Sequence, residues 1–393
     1  MKKRAYWAVF LLSFCWATTG WTAQPSFDEW KQSFYQTALA NGVSRQTLDK
    51  YMQNINFLEQ VIELDRKQPE FSLSFYNYIN RTVSPARIQK GREMLQKNRA
   101  FLSTIEEKYG IPPSYLVAFW GLETNFGTTK GNIDTLSALA TLSFDKRRSA
   151  FFTKELLSLL KTLQKEAIEP PKGSWAGAFG HYQFMPTTFE NYAIDGDNDG
   201  QKDIYHSWAD STASAANYLS RMGWKKHWRW GREVRINQQL PTDISLNEKR
   251  PIADWKKWGV DPVEKKEWQD DELTSEARLI LPAGIKGPAF LVYDNFDVIK
   301  RWNNSDFYAL AVGILSDKIS QIPTSNVETF PKNGNISTDE IKQFQTVLKE
   351  QGFYNGKIDG INGSRLKEAV ILYQKKQGIF PDGFLSKEIL EKK

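Results

Sequence analysis

Cysteine is all but missing: Cys15 stands alone among 393 residues. A disulfide framework is therefore excluded, and so is a thiolate metal site, because each needs at least a pair. Histidine is scarce as well. His181, His206 and His227 are the only three, and none has the H-E-x-x-H spacing that sets two imidazoles on one helical face. A dominant charge of one sign is also absent. The 52 Lys and Arg are scattered among 46 Asp and Glu, which argues against a nucleic-acid binder and its clustered basic stripe. Long apolar runs are limited to Ala5–Trp16, short for a membrane span, which leaves an uncleaved anchor as the alternative to a cleaved signal.

That run has the layout of a secretory signal, with Lys2, Lys3 and Arg4 ahead of it and small residues near Ala23 behind it. Residues 1–23 are thus expected to be a signal peptide. Its removal takes three positive charges from the formal +6 and leaves a mildly basic chain without a thiol. Phe14 stands where a lipoprotein signal carries a small residue, which argues against lipid anchoring.

What is present suffices for a real core: 40% of residues are hydrophobic and 13% aromatic. Residues 24–320 read as a mainly α (α+β) body. In Pro85–Gly110, Ile88, Met94, Leu95, Phe101, Leu102 and Ile105 keep close to a 3.6-residue period, and Gly110 closes the pattern. The period fades from Arg235 to Tyr293, where "EARLILPAG" and "GPAFLVYDNF" predict strands of a small inserted subdomain. Residues 321–335 are rich in Pro, Ser, Thr and Asn and read as a linker. Residues 336–393 form a second, helical unit in which Asp359-Gly360 and Asp382-Gly383 each precede a helix-like segment.

The stretch "FWGLETNFG" carries one acid, Glu123, among apolar neighbours. Pro112 and Pro113 suit the first turn of its helix and Gly127 the position past its end. Helical spacing predicts that Phe119, Trp120 and Phe126 wall this carboxylate. Desolvation of that kind keeps a glutamic acid protonated near neutral pH, ready to donate. In "GSWAGAFGHYQFMPTTFENYA", glycines permit close approach to a ligand and Gln183 offers a neutral donor and acceptor for sugar amides and hydroxyls. Arg147 and Arg148 are expected at a helix start, holding anionic substituents or facing solvent. "DGDNDGQKDIYH" opens like a calcium-binding loop, with Asp195, Asp197 and Asp199 at positions one, three and five and the Gln201 carbonyl at seven. Position twelve is His206, so a last ligand must come from Asp203 or Asp210.

Five ordered blocks, "GLETNFG", "LATLSFDKRRSAFF", "GSWAGAFGHYQFMPTTF", "ANYLSRMGW" and "NFDVIKRWNNSDFYALAV", resemble the family B lytic murein transglycosylases. The terminal unit is similar to the three-helix peptidoglycan-binding domain of wall enzymes. The resemblance implies a lysozyme-like helical core acting in the periplasm on peptidoglycan glycan strands. It implies non-hydrolytic cleavage of the MurNAc–GlcNAc β-1,4 bond to 1,6-anhydroMurNAc ends, with Glu123 as the single acid and base. It also implies saccharide contacts at Tyr78, Arg147, Arg148, Ser174, Gln183, Phe184, Tyr218, Asn303 and Tyr308, and a structural Ca2+ with Asp210 as its last ligand. No cofactor is expected for the chemistry. Phe151 and Trp302 depart from the family's tyrosines, keeping a ring and losing a hydroxyl. A hydrolytic muramidase and an inactive wall-binding scaffold remain alternatives, a monomer is expected, and membership of larger wall assemblies stays open.

Overall fold

The computed structural model describes residues 25–67, 73–166, 168–238, 240–263, 267–270, 272–324 and 336–391. The expected signal peptide and most of the expected linker lie outside these. Among the described residues no helix is long and apolar enough to cross a membrane.

The centre of the body is the helix Pro113–Thr124, "PSYLVAFWGLET". Its apolar residues run all round rather than along one stripe, so it must be enclosed, and every residue but Pro113, Leu122 and Glu123 is buried. The helices Asp306–Ile319, Pro85–Lys97 and Arg99–Tyr109 pack around it. Phe119 is fully buried and Trp120 nearly so; rings of this size contribute about 2–3 kcal/mol each through burial. The continuous pattern expected for Pro85–Gly110 is broken at Asn98, whose side chain caps the first helix by donating to the Met94 carbonyl (2.8 Å). Beside this group, Thr135–Phe144 and Ser149–Glu166 form a second layer.

Among the described residues there are seven strands, in chain order β1 (Ile133–Asp134), β2 (Lys172–Gly173), β3 (Gly231–Ile236), β4 (Arg250–Pro251), β5 (Val260–Pro262), β6 (Glu276–Ile280) and β7 (Ala289–Val292). The first two pair next to the site, and the other five make one antiparallel sheet in the order β4-β6-β7-β3-β5. The two strands predicted from sequence are β6 and β7. The other five were missed: β1, β2, β4 and β5 are too short to show a period, and β3 begins four residues before the expected boundary. Alternation along β7 divides two cores. Phe290 and Val292 join the helical core, whereas Ala289 and Leu291 join Trp255, Trp268 and Leu279 on the other face.

The C-terminal unit has the three expected helices, Thr338–Glu350, Ser364–Lys376 and Lys387–Glu391, closed over Phe344, Leu348, Leu366, Val370 and Tyr373. It is seated on the body rather than merely tethered to it. Phe380 packs against the sheet's core and Phe384 against the helical core, and Asp382 Oδ2 accepts the Ile285 N–H (2.8 Å).

Candidate active site

The Glu123 helix does not run up to Gly127, which its sequence places just past the end, but stops at Thr124. Asn125, Phe126 and Gly127 then take three consecutive left-handed conformations (φ 47°, 60° and 83°). This turn carries Phe126 back over Gly121, about 200° round the helix from Glu123. Phe126 therefore packs on Trp120 (5.6 Å between centroids) and does not wall the acid as expected.

The walls come instead from the other end of the chain. Trp302, recognised in the sequence only as a departure, is the hub: its ring meets Phe119 (4.8 Å), Tyr218 (5.1 Å), Phe184 (5.4 Å) and Tyr182 (6.3 Å). Tyr308, nearly buried, lies 6.2 Å from Phe119 and donates its hydroxyl to Glu123 Oε1. Of the predicted residues, Phe184 and Tyr218 meet this tryptophan, Asn303 follows it in the chain, and Tyr308 and Glu123 join through Phe119 and the Tyr308 hydroxyl. Tyr78 joins from the side through the Phe307 ring (5.8 Å). The Tyr218 hydroxyl is donated to the Arg301 carbonyl (2.8 Å), which leaves its ring as the contact surface.

Gln183 sits in a left-handed turn (φ 52°) between Phe179 and Phe184, which are paired through their backbones. Its amide nitrogen donates to the carbonyls of Lys130 and Gly180, both at 3.0 Å. The donor side of the predicted donor-and-acceptor pair is thus spent on the fold, and Oε1 is the part left for a ligand. Ser174 Oγ accepts the Ala178 N–H (3.1 Å), leaving its hydroxyl proton to give. Arg147 and Arg148 form a cluster of their own. Both grip the buried Asp65, Arg147 through Nε at 2.6 Å, and neither bonds to the Glu123 group among the described residues. They lie on the turn before the Ser149–Glu166 helix. Sequence reading missed Asp65, although it stands four residues after the buried Val61 and hence on the same helical face. Phe151 is about half exposed and packs on Phe152, away from the Trp302 group.

His181 is a second omission. Trp120 Nε1–H donates to its Nδ1 (3.2 Å), and its carbonyl accepts the Thr124 hydroxyl (2.8 Å) one residue beyond Glu123. Burial, aided by the Lys130 ammonium, brings its pKa down to about 4. The imidazole is therefore neutral at pH 7, as its role as acceptor from Trp120 requires. A His that titrates near 6.5 when unfolded and near 4 when folded binds its proton preferentially in the unfolded chain. Stability is then full above pH 6.5 and falls as the pH drops toward 4. The full shift corresponds to about 3 kcal/mol, which partial solvent exposure of the ring reduces to about 1–2 kcal/mol. The melting temperature should fall between pH 6.5 and 4, and His181→Asn should flatten that slope; an unchanged slope would show that other groups set it.

Of the predicted metal ligands, Asp195, Asp197 and Asp210 bring carboxylate oxygens within 4.8 Å of one another. Asp199 is not in that group; its Oδ1 accepts the Gln201 N–H (2.8 Å) within the loop. Asp203 turns to His206 Nδ1 (2.7 Å), and of the two sequence alternatives it is Asp210 whose carboxylate lies with those of Asp195 and Asp197. Asp210 is fully buried, and its pKa is raised, chiefly by that burial. Three hard oxygen donors, one desolvated, fit a calcium-type cation.

Residues 26–317 match the Transglycosylase SLT domain family. The chain belongs to this family of lytic transglycosylases. Residues 337–392 match a peptidoglycan binding domain. Membrane-bound lytic murein transglycosylase B of Escherichia coli is 30% identical over 295 residues, 71% of this chain and 79% of its own. Among solved structures, Pseudomonas aeruginosa SltB3 with NAG-NAM-pentapeptide superposes at a TM-score of 0.85, with 35% identity over 93% of this chain and 99% of that one. The same protein with NAG-anhNAM-pentapeptide gives 0.85 at 36% identity over the same shares. E. coli Slt35 in complex with calcium gives 0.65 at 29% identity over 74% of this chain and 92% of its own. The seated C-terminal unit is thus included in the SltB3 superposition, and the lysozyme-like helical assignment holds for the body.

Proposed function

We propose that this transglycosylase cleaves the β-1,4 bond between MurNAc and GlcNAc in the periplasm, with Glu123 as its single acid and base. The observation that carries the reading is the place of Glu123, a half-buried acid that accepts the Tyr308 hydroxyl one turn beyond the Phe119 ring on which Trp302 packs. The buried acids of the body all have partners: Asp65 holds two arginines, Glu155 accepts from Thr187, Asp210 from Gly196 and Asp203, and Asp317 from Trp230. A two-carboxylate hydrolase would need a second acid facing the same bond.

Glu123 donates its proton to the glycosidic oxygen as the C1–O bond breaks, and the substrate's acetamido oxygen takes up C1. The carboxylate then removes the proton from the muramyl 6-hydroxyl, whose oxygen displaces the acetamido group and closes the 1,6-anhydro ring. Tyr308 holds Oε1 and so restricts the side chain to one orientation across both steps. Gln183 Oε1, the Ser174 hydroxyl, Asn303 and the rings of Tyr78, Phe184 and Tyr218 line the sugar path, while Arg147 and Arg148 meet anionic substituents. Digestion of purified sacculi followed by mass spectrometry tests this: glycan ends lighter by one water support it, and reducing ends assign hydrolysis instead.

In this reading residues 1–23 are the export signal, 24–320 the catalytic body, 321–335 a linker and 336–393 the wall-binding module. Asp195, Asp197 and Asp210, with Asp199 and the Gln201 carbonyl in the same loop, would hold Ca2+. Bound there, the ion neutralises the carboxylates and stiffens the loop. Calcium at about a hundredfold excess over its Kd should stabilise the protein by about 2.7 kcal/mol. Thermal melts with calcium and with chelator check this, and Asp210→Asn should abolish the difference.

A further inference from the structure

The C-terminal module builds one clamp twice. In the first, buried Gln345 accepts the N–H groups of Asp359 and Gly360 (3.0 and 2.9 Å) and donates to Asp359 Oδ1 (2.9 Å), which also accepts the Ile361 N–H (2.9 Å). In the second, buried Gln374 accepts the Gly383 N–H (2.8 Å) and donates to Asp382 Oδ1 (2.6 Å), which also accepts the Phe384 N–H (2.8 Å). Each Asp-Gly turn feeds the next helix, and each clamp uses Oδ1 of its aspartate while leaving Oδ2 for something else.

In the second clamp that something is a segment of the catalytic body. Asp382 Oδ2 accepts the Ile285 N–H at 2.8 Å. Gly284 lies so close to the Phe384 ring that a Cβ would come within 2.8 Å of it. Lys286 Nζ reaches the Glu388 carboxylate at 2.8 Å. A cavity of about 390 Å³ runs along this junction. The second clamp thus recognises a short peptide by one backbone N–H, one small residue and one side-chain charge.

The matching atoms of the first clamp face solvent. Asp359 is exposed, and no other residue donates to its Oδ2 among the described residues. Ile361, in the place of Phe384, is 54% exposed, and Ile358 beside it 43%. Arg365 is the second residue of its helix, as Glu388 is of its own, so the charge at this position is inverted. Hydrogen bonds from Gln345 and the Ile361 N–H, with Arg365 nearby, hold the Asp359 carboxyl below the usual carboxylate range. It is therefore an anionic acceptor at neutral pH.

We propose that the Asp359 turn is a second peptide-docking site, open to the peptide stems of the wall: Asp359 Oδ2 takes a stem N–H, Ile358 and Ile361 take its methyl side chains, and Arg365 takes a stem carboxylate. This rests on the reading of the chain as a peptidoglycan enzyme. The inverted charge disfavours the 283–287 loop of a second copy, whose Lys286 would meet Arg365 instead of Glu388. The module then spends one clamp on holding the body and the other on the substrate's peptide, so recognition of peptide is separated from the glycan chemistry at Glu123.

The test is cosedimentation of the full chain, carrying Glu123→Gln to prevent digestion, with intact sacculi and with sacculi stripped of stems by an amidase. The site requires that intact sacculi bind about five- to tenfold tighter than stripped ones. Arg365→Glu and Asp359→Asn should each remove that advantage without changing binding to stripped glycan or the melting temperature. Equal binding of both sacculi by the parent, or variants that weaken both alike, overturns the docking site alone. Failure to bind either form overturns the enzyme reading with it. A dimer in sedimentation that Ile361→Ser dissolves assigns the face to self-association and overturns the stem proposal.

Discussion

Glu123→Gln should lower the rate of fragment release from sacculi by about 10²–10⁴-fold while leaving sacculus binding intact. The substitution keeps the volume of the side chain and an oxygen to accept the Tyr308 hydroxyl, so the aromatic notch around Trp302 has no reason to rearrange. What it removes is the group that, in the proposed chemistry, gives a proton to the glycosidic oxygen and then takes one from the muramyl 6-hydroxyl. Tyr308→Phe tests the same geometry more gently. It deletes a hydrogen bond to the acid and should reduce kcat by about tenfold or more with a smaller change in KM. A Glu123→Gln protein that still released fragments would move the acid elsewhere and break the assignment.

The second large effect is on the fold beneath the site. Gly131→Ala should destabilise the protein by more than about 3 kcal/mol and cost most of the activity with it. Gly131 has φ 91°, and a Cβ there would lie 2.1 Å from the Gly173 carbonyl oxygen and 2.7 Å from the Ser174 nitrogen. Both obstacles are backbone, so no side chain can swing away. The neighbouring Ile133–Gly173 pairing must open, and with it moves the Lys130 carbonyl that fixes the Gln183 amide. Gly42→Ala is the control, since its φ is also positive (87°) but nothing lies within 4 Å of the added carbon. That change should cost only the backbone strain of about 1 kcal/mol. Melting temperatures of the two variants side by side, with turnover of a soluble glycan, measure the difference. Equal losses would mean that dihedral strain, and not the approach of the two segments, sets the requirement for glycine.

Local chemistry made much of this protein readable. The all-round apolar run of Pro113–Thr124 demanded a buried helix, the acid in it was conspicuous, and the turn residues of the Gln183 block announced close backbone approaches. Asp195, Asp197 and Asp210 were legible as hard oxygen donors, and the module's two Asp-Gly turns as an internal echo. Each of these signals is carried by residues near one another in the chain. What surrounds Glu123 is not. Tyr308 reaches it, and Trp302 reaches Phe119 one turn before it, across about 180 residues, and Asp65 reaches Arg147 and Arg148 across about 80. No periodicity encodes which distant ring will fill a notch or which buried acid will neutralise an arginine pair, because any side chain of suitable size and charge satisfies the local pattern. Phe126 shows the converse: its helical spacing pointed at the acid, and three left-handed residues sent it to the opposite face. The sequence by itself determined the fold class and the polymer-binding module, and it singled out Glu123 as the acid to test. Only the tertiary structure decided which groups hold that acid in place, because those contacts are made by packing segments that the chain keeps far apart.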